Sequence, residues 1–206
     1  MSRVVKDPEI RRHEIIRAAK KLFLEKDYMQ TTMQDVMTEL KIAKGTIYHY
    51  FKSKDELLDA VVQGLADDYI SAVNDIFSRC KGGAMDRLFV LMNAGNVADT
   101  QKAFLEQLHR PGNIALHSRL LAITLSQLAR LYAEVIEQGC KEGLFDVEYP
   151  LESAELLLAG VQFLTDEGFY PWRQSDLLRR KQSIPALFEA QLKAPKGTFN
   201  FLLKAL

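Results

Sequence analysis

Apolar residues recur at helical spacing along almost the whole of this 206-residue chain. Ile15, Ala19 and Phe23, for example, follow one another at four-residue intervals, which places them on one face of a helix. Turn signals lie far apart, and no series of short segments alternates polar and apolar residues as the strands of a β-meander do. The sequence therefore predicts an all-α protein with enough apolar content for a substantial core.

Residues 44–54, with the sequence KGTIYHYFKSK, form the most distinctive stretch of the chain. In a helix, Ile47 and Phe51 lie on one face, while Thr46 and His49 lie on the opposite face. Cations and hydroxyl groups suit contact with phosphates, and the small apolar stripe suits attachment to the rest of a domain. The stretch therefore predicts the recognition helix of a helix-turn-helix.

Capping signals delimit the neighbouring helices. Thr32 and Asp35 have the spacing of a capping box, which predicts a short second helix that ends near Leu40. Ser53 and Glu56 repeat that spacing at the start of a long fourth helix. The first three helices would thus occupy residues 9–26, 32–40 and 44–52.

The charge of the chain is distributed unevenly. The formal net charge is zero, but residues 1–54 carry 12 Lys and Arg against 7 Asp and Glu, a balance of +5. The remaining 152 residues carry 15 and 20, a balance of −5. A basic N-terminal quarter on an acidic body is the asymmetry expected when one part of a protein meets DNA.

Other functional classes find little support. No phosphate-binding loop and no Ser/His/Asp order appear, so an enzyme is not predicted. His109 and His117 have no third ligand at metal spacing, and we expect neither a metal nor a cofactor. The absence of a leader or a long apolar run, with only Cys80 and Cys140 as thiols, predicts a cytoplasmic protein that does not enter a membrane.

Residues 10–62 resemble the DNA-binding domain of the TetR family of bacterial transcriptional regulators. The matching residues, in order, are Ile16, Ala18, Ala19, Leu22, Phe23, Thr32 and Val36, then Lys44 to Phe51, and Ser53 to Leu58. The resemblance in motif covers about a quarter of the chain. Beyond it, length and helical character agree with the family.

The resemblance implies a fold and a mechanism. A three-helix helix-turn-helix domain at residues 1–54 would be followed by a helical ligand-binding and dimerisation domain at 55–206. The protein would be a homodimer that binds double-stranded operator DNA and is most simply a repressor released by a small, largely apolar effector. A helical DNA-binding regulator controlled by a partner protein is the alternative.

The resemblance also assigns DNA contacts by position. The residues that would approach bases or neighbouring phosphates are Lys44, Gly45, Thr46 and His49. Those that would hold phosphates are Tyr48, Tyr50, Lys52 and Lys54, and Thr32 with Met33 would present the start of the second helix to the DNA backbone. Gly45 would let the helix approach the groove closely, because it lacks a side chain.

Three positions depart from the family pattern. Lys41 stands in the turn, where a left-handed backbone favours glycine, and Asp27 stands where glycine commonly ends the first helix. Ala43 stands where a serine would cap the third helix. These departures predict a weaker seating of the third helix and no loss of a DNA contact.

Effector and dimer contacts are assigned on weaker grounds. Bulky residues of the body are candidates to line an effector pocket, although such residues at helical spacing suit a core equally well: Phe89, Met92, Phe104, Leu121, Leu125, Tyr132, Phe163 and Trp172. Helices at about 151–169 and 184–193 are predicted to form the dimer interface, where Gly160 would allow close approach. The interface candidates are Leu157, Gly160, Val161, Leu164, Leu187 and Phe188.

Overall fold

The structure, a computed structural model, describes residues 7–94 and 99–205, and the regular elements within those ranges are all helical. The helices are α1 (Pro8–Lys26), α2 (Met33–Leu40), α3 (Lys44–Tyr50), α4 (Lys54–Arg79), α5 (Ala84–Ala94), α6 (Asp99–Leu108), α7 (Ile114–Lys141), α8 (Pro150–Thr165), α9 (Gln174–Leu192) and α10 (Leu202–Ala205). A 3₁₀ turn at Pro111–Asn113 precedes α7. The predicted all-α fold is confirmed.

Contacts within the chain define two compact units. The first comprises residues up to 67 together with residues 102–120, and the second comprises residues 68–101 and 121 onward. The first unit is therefore discontinuous in sequence. The predicted functional division at residue 54 stays a prediction, because a compact unit is not the same as a unit of function.

The first unit is organised by helices that pack in sequence, α1 on α2 and α2 on α3. Its core includes fully buried residues from α1, α3 and the start of α4, among them Phe23, Ile47 and Leu58. Phe51, which ends α3, is also buried. Burial of these side chains fixes the orientation of α3, whose opposite face is then left to solvent.

The second unit has an apolar core of its own. Leu88, Ile136 and Leu192 lie in this core, and Phe199 joins it through ring contacts with Phe145 and Phe188. Within this unit α8 packs on α9, and α9 packs on α10. The pair α8 and α9 forms the surface on which the dimer candidates lie.

The structure corrects several predicted boundaries. α9 begins at Gln174 and not at Ile184, because Asp176 in its first turn pairs with Arg173 and Arg179 and the helix continues through Pro185. α8 ends at Thr165 and not near residue 169. α7 begins at Ile114, directly after the 3₁₀ turn. Among the described helices, none is both long and apolar enough to cross a membrane.

Candidate nucleic-acid interface

The N-terminus of α2 is closed by the predicted capping box. The Thr32 hydroxyl accepts a hydrogen bond from the Asp35 N–H at 3.1 Å, and the Asp35 carboxylate accepts one from the Thr32 N–H at 2.8 Å. The Thr32 hydroxyl also donates to the Asp35 carboxylate at 2.7 Å, and this bond, with the bond from the Thr32 N–H and the ammonium of Lys26 at 3.1 Å, lowers the pKa of Asp35 to about 2. The box thus holds Thr32 and Met33 at a defined helix start.

The turn between α2 and α3 contains both predicted weak positions. Lys41 has a left-handed backbone with φ 53° and ψ 44°, and its N–H bonds the Met37 and Thr38 carbonyls at the end of α2. Ala43 caps α3 with no side-chain hydrogen bond. α3 is therefore oriented by its buried residues and not by its cap.

α3 has two faces of opposite character. Ile47 is fully buried, whereas Lys44, Gly45 and His49 are exposed. A Cβ atom added to Gly45 would meet no heavy atom within 4 Å. Packing within this chain therefore does not require glycine at this position.

The three lysines of residues 44–54 have different surroundings. The Lys44 ammonium lies 5.8 Å from the centre of the Tyr48 ring, and the Lys52 ammonium donates to the Tyr48 carbonyl at 3.0 Å. The Lys54 ammonium donates instead to the Tyr28 and Thr31 carbonyls at 2.9 and 3.0 Å. It also lies 4.2 Å from the centre of the Tyr28 ring. Lys54 thus braces the loop between α1 and α2.

The capping box predicted at the start of α4 forms, but one of its two hydrogen bonds has a different partner. The Ser53 hydroxyl accepts from the Glu56 N–H at 3.0 Å, as predicted. The Glu56 carboxylate, however, accepts from the N–H of Lys52 at 2.6 Å. The extended backbone at Phe51, with φ −136° and ψ 118°, brings the Lys52 N–H toward the first turn of α4.

Half of the predicted DNA contacts line one groove of about 450 Å³ in the first unit. They are Thr32, Met33, Lys44, Tyr48 and Lys54. Gly45, Thr46, His49, Tyr50 and Lys52 lie elsewhere along α3 and its exit. The groove also contains Met29 and Gln34, which the sequence analysis did not single out. The helical position of Gln34, next to Met33 in the first turn of α2, could have indicated it.

The effector candidates are not gathered into one pocket. Phe104 belongs to the first unit and the other seven to the second. Phe89 and Phe163 are 51% and 56% exposed, whereas Tyr132 is buried. Of the eight candidates, only Tyr132 lines one of two apolar cavities in the second unit. That cavity has a volume of about 10 Å³. Burial, with Tyr69 nearby, raises the pKa of Tyr132, so its hydroxyl stays protonated.

The other apolar cavity is a groove between α8 and α9 with a volume of about 250 Å³. All six dimer candidates line it: Leu157, Gly160, Val161, Leu164, Leu187 and Phe188. Leu187 is 59% exposed, while Phe188 is buried and forms the floor of the groove. Leu156, which the sequence analysis omitted, also lines the groove and is 62% exposed. A Cβ atom on Gly160 would meet nothing within 4 Å.

His109 and His117 come together in the first unit. Their ring centroids lie 5.0 Å apart, and His117 is buried. The intervening turn at residues 111–113 explains this proximity, which the separation of eight residues in sequence did not indicate.

A short helix with a buried apolar stripe and an exposed basic face, set behind a capped second helix, defines a helix-turn-helix DNA-binding protein. Comparison with protein families agrees. Residues 15–61 match the family described as bacterial regulatory proteins, tetR family, and residues 96–185 match the tetracyclin repressor-like C-terminal domain. The two matches together cover more than half of the chain. The chain belongs to the TetR family, whose members are transcriptional regulators and not enzymes.

Individual relatives match shares of the chain that differ in length and identity. The regulator HbdR of Aromatoleum sp. (strain CIB) is 44% identical over 69 residues, which span 32% of this chain and only 30% of that protein. The repressor KstR2 of Mycobacterium tuberculosis (strain H37Rv) is 26% identical over 149 residues, or 70% of this chain and 74% of that protein.

Solved structures extend the similarity in fold to most of the chain. A putative transcriptional regulator from Pseudomonas aeruginosa PAO1 superposes with a TM-score of 0.61 at 18% identity, covering 92% of this chain and 96% of that one. GusR of Salmonella enterica gives 0.58 at 20% identity, covering 93% and 100%. At such identities the likeness concerns the fold alone.

Proposed function

We propose that this DNA-binding regulator is a homodimeric repressor that leaves its operator when a small, largely apolar effector binds. One observation carries the DNA contact: α3 buries Ile47 completely while Lys44 and His49 remain exposed on the opposite face. A helix held in this way can enter a major groove without losing its attachment to the unit. Because such a protein acts on chromosomal DNA, we place it in the cytoplasm.

The proposed contacts follow the charge and exposure of the residues. Lys44, Gly45, Thr46 and His49 would approach bases or adjacent phosphates. The proposed phosphate contacts are Tyr48, Tyr50, Lys52 and Lys54, with Thr32 and Met33 at the start of α2. For Lys54, this role requires its ammonium to bind a phosphate while it also donates to the Tyr28 and Thr31 carbonyls.

Dimerisation is supported by the chemistry of the α8–α9 groove. Leu156 and Leu187 expose more than half of their surface on its rim. Contiguous apolar surface of this kind marks an interaction site, and a two-fold contact needs the same patch on both chains. Gly160 lies open beside it and would permit close approach of the partner helix. Repression itself is suggested by the relative KstR2, which is described as a repressor.

Effector control requires a second conformation. The cavity beside Tyr132, at about 10 Å³, holds at most one water molecule, so an effector there must displace Leu88, Leu157 or other lining residues. An effector that binds such a rearranged state more tightly shifts the population toward it and lowers operator occupancy. The division into a DNA-binding part at 1–54 and a sensing and dimerising part at 55–206 belongs to the same proposal.

Control by a partner protein is the second candidate. Phe89 is 51% exposed and its ring lies 5.7 Å from that of Phe201, while Leu203 is 52% exposed. The exposed Phe89 ring against the partly buried Phe201, with an exposed leucine two residues further on, suits a protein partner better than it suits an enclosed small molecule. In the first candidate a small molecule releases the DNA, and in the second a partner protein does.

Operator binding is tested with the duplex that the parent protein enriches from a library of random 30-base-pair sequences, called here the selected duplex. Lys44→Ala should weaken binding to it about tenfold or more, because a base-proximal cation is lost. Lys141→Ala is the matched control, since Lys141 is an exposed lysine of α7 in the second unit. Equal affinities for the parent and Lys44→Ala would refute the assigned geometry.

Effector control is tested by a thermal-shift screen of small apolar compounds, followed by competition of each hit with the selected duplex. A true effector raises the melting temperature with dose, because binding to the native state stabilises it by mass action. It should also release the duplex. The second candidate would be favoured if no small molecule gave a hit and if a partner protein, binding in a way that depends on Phe89, released the duplex.

A further inference from the structure

The turn that follows α1 has an unusual backbone. Asp27 ends α1 with φ 72° and ψ 161°, a region that residues other than glycine rarely adopt. Such a conformation persists when surrounding groups hold it in place. The turn continues through Tyr28 to Thr32, which caps α2.

A distant segment of the chain holds this turn from one side. The Asn113 side chain is fully buried, and its Oδ1 accepts a hydrogen bond from the Tyr28 N–H at 2.6 Å. Its Nδ2 donates to the Gln107 carbonyl at 2.8 Å, which fixes the orientation of the carboxamide. The Gly112 carbonyl accepts from the next N–H, that of Met29, at 3.1 Å.

The same segment also binds the end of α1. Nη1 of Arg110 donates to the Leu24 and Glu25 carbonyls at 3.2 and 3.1 Å, and these carbonyls belong to the last turn of the helix. A Cβ atom at Gly112 would collide with the Asp27 carboxylate, so that carboxylate would have to shift to admit a side chain. Residues 110–113, called here the brace, therefore contact both the helix end and the turn.

The opposite side of the turn is held from within the helix-turn-helix region. Lys54 donates to the Tyr28 and Thr31 carbonyls, and the buried Thr31 hydroxyl donates to the Asp27 carbonyl at 2.7 Å. Tyr28 thus has its N–H bound by Asn113 and its carbonyl bound by Lys54. The brace and residues up to 67 belong to one compact unit, although the brace lies more than 40 residues later in the sequence.

We propose that Asn113 is a positioning residue for operator binding. By satisfying the buried N–H of Tyr28, it fixes the turn that sets the start of α2, and α2 in turn packs on α3. Without this bond the turn samples further conformations, and the fraction of molecules with both helices in place for DNA falls. The apparent dissociation constant rises as that fraction falls. The inference rests on the proposed DNA contacts of α2 and α3.

The test measures affinity for the selected duplex and the melting temperature for a set of full-length variants. Asn113→Ala should bind about tenfold more weakly, as expected when a buried N–H loses its acceptor. The slope of log affinity against log salt should stay that of the parent, because no phosphate contact is removed. Gln138→Ala is the control: its carboxamide joins Arg87 and Glu142 in the second unit, so stability falls while affinity is retained.

A second-site change separates positioning from simple loss of stability. Asp27→Gly lets the turn adopt its backbone without strain. In that background Asn113→Ala should weaken binding less than about threefold, as the turn no longer depends as strongly on the brace. An undiminished tenfold loss in the Asp27→Gly background would contradict the proposed route through the turn.

Remaining outcomes are also decisive. If Asn113→Ala loses stability like Gln138→Ala but binds the duplex as tightly as the parent, Asn113 has no positioning role. If Asn113→Ala does not fold, Arg110→Ala replaces it, since Arg110 is exposed and its loss removes the bonds to Leu24 and Glu25. Parental affinity in that variant would overturn the proposal for the brace. Failure of the parent to enrich any duplex would instead refute the proposed contacts on which the inference rests.

Discussion

The exposed face of α3 and the groove between α8 and α9 are each supported by buried residues, Ile47 below one and Phe188 below the other. They differ in the chemistry that they present to solvent. The α3 face offers Lys44 and His49, whereas the groove rim offers Leu156 and Leu187. The first suits a charged, hydrated partner, and the second suits a dry contact with another apolar surface.

The two surfaces share one feature that explains their small residues. Neither Gly45 nor Gly160 has an atom of this chain within 4 Å of where a Cβ would lie. A Cβ atom at Gly112, by contrast, would collide with the nearby Asp27 carboxylate. A glycine that the fold does not need, on a surface otherwise suited to a partner, is a signal of close approach from outside the chain.

The largest expected effect concerns the apolar groove. Leu187→Arg should convert the dimer to a monomer of 23.4 kDa in light scattering, because a charge in a dry symmetric contact is repeated in both copies. Affinity for the selected duplex should fall about a hundredfold or more as the two half-sites bind independently. Leu178→Arg is the control: Leu178 is similarly exposed on α9, nine residues away and so on the opposite face of the helix. If the Leu187→Arg protein remained a dimer, the groove would not be the dimer interface and would have another role.

The α3 face can be examined by comparing two of its lysines. Lys52→Ala should weaken binding to all duplexes alike and reduce the salt slope by about one, because it removes a phosphate contact. Lys54→Ala should instead lower the free energy of unfolding by about 1–3 kcal/mol, since two carbonyls lose a charged donor. Salt titrations and urea unfolding measure the two effects. A stable Lys54→Ala protein with a reduced salt slope would make Lys54 chiefly a phosphate ligand.

Two substitutions before α3 should increase the stability of the protein. Lys41→Gly should raise the free energy of unfolding by about 1 kcal/mol, because glycine adopts the left-handed backbone without a steric cost. Ala43→Ser should add about 0.5–2 kcal/mol by capping α3. Urea unfolding of each variant measures the gain, with Lys41→Ala as the control that should show little gain. Unchanged stability in both would mean that the α2–α3 turn is not strained.

The smallest effect is the contribution of Asp35 to stability at different pH values. Its pKa is lowered from about 4 to about 2 in the folded state, so its ionised form stabilises the fold above pH 4. That contribution should disappear as the pH falls from about 4 to about 2. Asp35→Asn should differ from the parent by less than about 1 kcal/mol at pH 7 and by less still near pH 2, because the group is largely solvated. If the stability difference between Asp35→Asn and the parent grew as the pH fell, the predicted direction of the Asp35 pKa shift would be wrong.

The DNA-binding part could be predicted closely because its signals are local. Thr32 and Asp35 specify the start of α2 within one helical turn, and the spacing of Ile47 and Phe51 specifies the buried face of α3. Lys54 shows the limit of such reasoning. Its charge and position suit a phosphate contact, but the carbonyls that it binds lie more than 20 residues away in sequence.

The rest of the chain was harder to predict because its determinants are tertiary. The helix predicted at 184–193 begins ten residues earlier, at Gln174, where Asp176 in the first turn pairs with Arg173. Bulky residues such as Phe89 and Tyr132 are indistinguishable in sequence, although one is exposed and the other buried. Residues 102–120 join the first unit partly through bonds to backbone groups, such as the Tyr28 N–H and the Leu24 carbonyl, which composition does not reveal.

The discontinuity of the first unit limits how such regulators can be recombined. A chimera that joins a foreign sensing domain at residue 54 or 67 would discard residues 102–120, and with them the groups that hold the Asp27 turn. We expect a DNA-binding part transplanted in this way to keep all the proposed DNA contacts of α2 and α3 and still bind poorly. If the proposed role of Asn113 is correct, the exchangeable module of this protein is two segments of sequence, and both must be moved together.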